Sequence, residues 1–99
     1  MKDVEILAKY LQRRFKGRIE TFSGIVFNNN ATITNSNLRI YHRRNTVEFW
    51  VDDGDVTIQN YRPACSIKMH MADPDFETKL YVFLTDKAGV KPSRLKAEY

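Results

Sequence analysis

Apolar and polar positions along the chain follow two different periods. Val4, Leu7, Ala8, Leu11 and Phe15 recur at spacings of three and four, the stripe of an amphipathic helix over residues 3–16. Asp3 can cap its start, Gly17 can take the left-handed position that stops it, and Glu5 and Lys9 form a favourable pair one turn apart. From residue 18 to 71 the period falls to two, which predicts strands. The first runs from Arg18 to Phe27 with an interruption near Gly24. Asn28-Asn29-Asn30 then reads as a turn, Ala31–Thr34 as a short strand and Asn35-Ser36-Asn37 as a second turn.

Leu38–Arg43, Thr46–Asp52 and Asp55–Asn60 alternate more regularly. Asp53-Gly54 is a strong hairpin signal, because both residues tolerate the positive φ of a tight turn; it sets Val51 opposite Val56 and Phe49 opposite Ile58. A two-residue turn at Arg44-Asn45 sets Ile40 opposite Phe49 and Arg39 opposite Trp50, within cation–π reach. A four-residue turn at Tyr61-Arg62-Pro63-Ala64 sets Ile58 opposite Ile67. These hairpins share one phase and predict an antiparallel meander. Leu38, Ile40, Val47, Phe49, Val51, Val56, Ile58, Cys65, Ile67, Met69 and Met71 fall on its core side. Arg39, Tyr41, Arg43, Glu48, Trp50, Thr57, Gln59, Ser66, Lys68 and His70 fall on the other, with Tyr61 at the edge.

Pro74–Lys87 carries a second helical stripe, Phe76, Leu80, Phe83 and Leu84, between a start signal at Asp73-Pro74 and a stop at Gly89. The expected fold is α+β: a helix, an antiparallel meander of about five strands, and a helix, with both helices on one sheet face. Residues 1–99 are expected to form one domain, with 90–99 a loose basic tail.

Composition narrows the class. Hydrophobic residues at 42% and charged residues at 28% of the 99 are globular usage and exclude a disordered chain. No apolar run approaches the roughly 18 residues of a membrane span, and Asp3 and Glu5 break any secretion signal, so a soluble cytoplasmic protein is expected. The single Cys65 fits a reducing compartment and sits in the core phase with no histidine beside it, as a structural thiol does. The four glycines are scattered singly, which excludes a phosphate-binding glycine loop, and no cofactor is expected. The net charge of +4 is uneven: residues 1–49 hold nine Lys/Arg against four Asp/Glu, whereas 50–99 hold seven against eight. Such asymmetry points to a polyanionic partner.

The outer face mixes rings with cations. Arg39, Tyr41, Arg43, Trp50, Tyr61 and Lys68 are the expected contacts, since bases stack on rings and phosphates meet cations. Arg13, Arg14, Lys16 and Arg18, at the end of the first helix, form a second basic patch. Asp52, Asp55 and His70 fall in one row and make a weak candidate for a divalent cation. Glu48, His70 and Arg39 share a face, as in small basic ribonucleases, but four residues along the strand separate His70 from the row of Glu48. That is about 13 Å, too far for one phosphodiester, which leaves Tyr41, Arg43 and Glu48 as parts of a weaker site. The leading expectation is a small non-enzymatic binding or regulatory protein that takes single-stranded nucleic acid, RNA or DNA, on the sheet. The alternative is a protein-binding module, a homodimer or an inhibitor of a host protein, of a kind that phages and archaeal viruses encode; a small ribonuclease comes third.

Overall fold

The structure is a computed structural model that describes residues 2–21, 26–27, 33–34 and 36–93. In chain order the elements are α1 (Lys2–Arg14), β1 (Arg18–Thr21), β2 (Val26–Phe27), β3 (Ile33–Thr34), β4 (Leu38–His42), β5 (Asn45–Asp52), β6 (Asp55–Tyr61), β7 (Ala64–His70) and α2 (Phe76–Val82). A π-helical turn over Phe83–Lys87 extends α2. Strands β1, β4, β5, β6 and β7 form one antiparallel sheet in that order, and β2 pairs with β3 separately. The sheet and both helices share one hydrophobic core, as the α+β expectation requires.

All five residues of the first stripe are buried, Phe15 just beyond the end of α1, and so are the four of the second. Three of the four helix boundaries shift by one or two residues. Asp3 lies inside the first turn of α1, which ends at Arg14. Gly17 follows with φ of 114°, and a Cβ there would stand 2.8 Å from the Tyr41 carbonyl oxygen. This glycine is required by close approach of the chain to β4 as well as by its backbone angle. At the other end α2 begins at Phe76, two residues beyond the expected start. Asp73 serves it from outside: its carboxylate accepts from the Asp75 amide at 2.8 Å and holds the Lys79 ammonium at 2.7 Å. The Ala88 amide then donates back to the Phe83 carbonyl, five residues away.

The β5–β6 hairpin has the expected register, Val51 with Val56 and Phe49 with Ile58, around Asp53 and Gly54, both at positive φ. Ile58 likewise pairs with Ile67, although the pairing continues to Tyr61 and Ala64, leaving only Arg62 and the cis-linked Pro63 as the turn. The β4–β5 register departs from expectation by two residues. The turn is Arg43-Arg44, with Arg43 at φ of 60°, so Leu38 faces Phe49, Ile40 faces Val47 and Arg39 faces Glu48 rather than Trp50. A slip of two preserves every face, which is why alternation could not detect it. Two side-chain amides hold the observed register. Asn37 both accepts from the Val51 amide and donates to its carbonyl, each at 2.9 Å. Asn45 donates to the Ala88 carbonyl at 3.0 Å, which ties that strand end to the helical layer.

The tail expectation is corrected for its first residues. Val90 is buried, Phe15 bridges Pro92, and the Lys91 carbonyl and Ser93 amide bond to the backbone of Lys16 and Arg14. The expected break near Gly24, the Asn28–Asn30 turn, the start of the Ala31–Thr34 strand, Asn35 and the tail over 94–99 lie outside the described residues.

Phe49 is fully buried at the centre of the sheet, between Leu38 and Ile58. Phe49→Ala should cost about 3–5 kcal/mol in chemical denaturation; a loss below about 1 kcal/mol would show that this face is not the core. His42 is also buried, and its pKa lies below the usual 6.5 because burial, then the charges of Arg43, Lys91 and Lys16, disfavour the imidazolium. The unfolded chain therefore takes up the proton first. Stability due to this group is complete above about pH 6.5 and is lost as pH falls through the lower folded-state value. His42→Gln should flatten that limb of a pH series of denaturant midpoints.

Candidate partner-binding face

The face opposite the helices is built in rows by the ladder. Arg18 pairs with Tyr41, which pairs with Thr46. The next outward row is Glu20, Arg39, Glu48, Gln59 and Ser66, and the next after that is Trp50, Thr57 and Lys68. Asp52, Asp55 and His70 make the last. Arg39, Tyr41, Trp50, Lys68 and, by alternation from Gln59, Tyr61 thus fall on one side of the sheet, whereas Arg43 stands outside the ladder in the β4–β5 turn, and the residues on the face do different things there.

Arg39 is held within the sheet. Its guanidinium meets the Glu48 carboxylate at 3.0 Å and donates to the Tyr41 hydroxyl and Ser36 Oγ, each at 3.3 Å. The Arg39 and Glu48 side chains are only 16% and 13% exposed, so removing either partner would strand a largely buried charge. Tyr61 crosses the diagonal of the ladder and donates its hydroxyl to Glu48 Oε1 at 2.8 Å. Burial and this bond to Glu48 raise the Tyr61 pKa above its usual 10. Arg18 lies over the Tyr41 ring, 4.3 Å from its centroid, and pairs with Glu20. The Arg18–Glu20–Arg39–Glu48–Tyr61 set alternates in sign across the strands, so the middle of the face is electrically closed.

Beside it, Trp50, Thr57, Lys68, Asp52 and Asp55 help to line an open groove of about 520 Å³. The ends of the face carry unlike charge. Arg43, Arg44 and Arg62 stand exposed in the two turns at one end, and Asp52, Asp53 and Asp55 stand exposed at the other. Thr46 and Asp52 are six residues apart on β5, so the ends are separated by roughly 20 Å.

The second basic patch does not form as expected. Arg14 turns onto the Tyr10 ring, 5.2 Å from its centroid, and toward Glu77 at 3.9 Å, whereas Arg18 belongs to the sheet face. Arg13 and Lys16 remain exposed at the end of α1. The cation candidate also fails. His70 Nδ1 accepts the Ala72 amide at 3.0 Å, and its ring lies against Gly54, where a Cβ would come 2.7 Å from Nε2. Asp55 stands 4.0 Å from that nitrogen, and no group of three metal-ligating side chains forms among the described residues. For the ribonuclease reading, Glu48 and Arg39 are joined to each other, and His70 is four residues along β7 from Ser66 in their row. Cys65 is half-buried, with its thiol toward the Pro63 and Lys87 carbonyls.

Sequence reasoning missed Arg18 and Glu20 as members of this face and Arg44, Arg62 and Asp53 as its end charges. The charge–Ile19–charge alternation of β1 was the available signal for the first two. Comparisons with protein families, with curated proteins and with solved structures found no match. No helix among the described residues is long and apolar enough to cross a membrane.

Because the bond to Glu48 adds to the effect of burial in raising the Tyr61 pKa, Glu48→Gln should bring it down toward 10. Ring carbon shifts of Tyr61 followed by NMR against pH check this; an unchanged value would mean the hydrogen bond is absent in solution.

Proposed function

We propose that the chain is a binding protein that engages another protein through the sheet face opposite its helices. The observation that carries this reading is the charge pairing at the centre of that face. Arg39 and Arg18 are each matched by a carboxylate, and Glu48 also takes the Tyr61 hydroxyl. A polyanion laid across the strands would meet Glu20, Glu48, Asp52 and Asp55 as well as the cations, and like charges in an interface are costly. A protein surface carries both signs and suits such a face. Rings surrounded by polar groups are also what protein interfaces concentrate.

A second reading, single-stranded nucleic acid, is favoured by one end of the face only. There Arg43, Arg44 and Arg62 are exposed beside Tyr61, which is 56% exposed. That arrangement offers one ring and three phosphate partners, with RNA and DNA equally served.

Titration of the single tryptophan, Trp50, with a mixed-sequence oligonucleotide at low and moderate salt separates the two. The protein-binding reading expects no change in emission at either salt. Salt-dependent quenching that weakens in Arg43→Ala and Arg62→Ala would overturn it in favour of nucleic acid.

A further inference from the structure

We infer that the partner of the sheet face is a second copy of this chain, bound face to face about a twofold axis; the inference rests on the protein-binding reading above. The pattern of charge is the reason. One end of the face presents Arg43, Arg44 and Arg62, and the other presents Asp52, Asp53 and Asp55, all exposed. Within one copy these ends are too far apart to meet. The aspartate end also carries a local cost, because Asp52 and Asp55 stand directly opposite each other on the ladder.

A face that is positive at one end and negative at the other is complementary to itself when turned end for end. The axis lies between the two sheets, perpendicular to the strands, and crosses β5 near Phe49 and β6 near Ile58. Strands of the two copies then run antiparallel, about 10 Å apart. Counting rungs from the axis, Arg44 falls over the second copy's Asp53, and Arg62 over the second copy's Asp55. Each contact occurs twice in such an isologous pair. The alternative twofold, along the strands, would bring arginine onto arginine and is excluded by repulsion.

Size is sufficient. Five strands at about 4.8 Å and six residues at about 3.3 Å make a face of roughly 24 by 20 Å. Two such faces bury on the order of 1,000 Å² before side-chain relief is added, which reaches the lower bound for a specific interface. The Trp50–Lys68 groove lies within the area covered.

The test is sedimentation equilibrium on the whole chain, wild type beside Asp55→Arg, Arg62→Asp, the Asp55→Arg/Arg62→Asp double variant and Thr57→Arg, each checked for folding by circular dichroism. Wild type should be a dimer that loosens with added salt. Each single charge reversal should weaken it at least about tenfold, since one substitution spoils two contacts, and the double variant should recover the dimer. Thr57→Arg, at the middle of the face, should also dissociate it. A wild-type monomer at hundreds of micromolar would overturn the second copy as partner and leave the protein-binding reading standing. A dimer untouched by Thr57→Arg would show that association uses another surface, and would likewise overturn the second copy as the partner of this face. A dimer broken by Thr57→Arg but indifferent to the charge reversals would overturn the end-for-end arrangement.

Discussion

Asp53 and Gly54, both at positive φ, close β5 onto β6 in a turn that leaves no freedom of register, and the other strands take their faces from that hairpin. With Val51 on Val56 and Phe49 on Ile58, one side of the pair is apolar throughout. β4 and β7 must then present Leu38, Ile40, Ile67 and Met69 to the same side, and both helices are drawn there to cover it. Gly54 serves a second purpose. The His70 ring rests where its Cβ would be, so the same residue that permits the turn lets the end of β7 close over it.

The side of the sheet away from the helices is organised by charge instead of by burial. Alternating signs across β1, β4 and β5 neutralise its middle, and the Tyr61 hydroxyl joins that network. This arrangement stiffens long side chains that would otherwise lose entropy on binding. Most of the exposed charges outside that network are at the hairpin ends, where the turns supply arginines at one pole and the Asp53-Gly54 turn and its flanks supply aspartates at the other. The turn that sets the core register therefore also sets one pole of this face.

The helical layer is fastened at its ends as well as through its stripe. Gly17 lets the chain leave α1 hard against the Tyr41 carbonyl, and residues 90–93 run alongside that exit, with Phe15 bridged to Pro92. Asn45 joins the sheet to the same region through the Ala88 carbonyl. His42 is buried next to these joints among Lys16, Arg43 and Lys91, which is why its proton is held weakly.

The two periods of hydrophobicity were enough to place the helices, the strands and nearly all of the core, because burial depends only on which side of an element a residue occupies. Asp53-Gly54 was enough for one register, since its backbone requirement is local. The β4–β5 register was decided by tertiary contacts: the Asn37 clamp on Val51 and the Asn45 bond to Ala88 select a turn one residue earlier than the sequence suggested. A slip of two residues changes no face but changes every opposite partner, so it moved Arg39 from Trp50 to Glu48 and turned an expected contact residue into an internal ion pair. The docking of residues 90–93 was equally hidden, because their partners are backbone groups nearly 80 positions away in the chain. Hydrophobic pattern is a property of faces and can be read along one strand; the identity of a charge's neighbour is a property of rungs, and only the assembled sheet determines it.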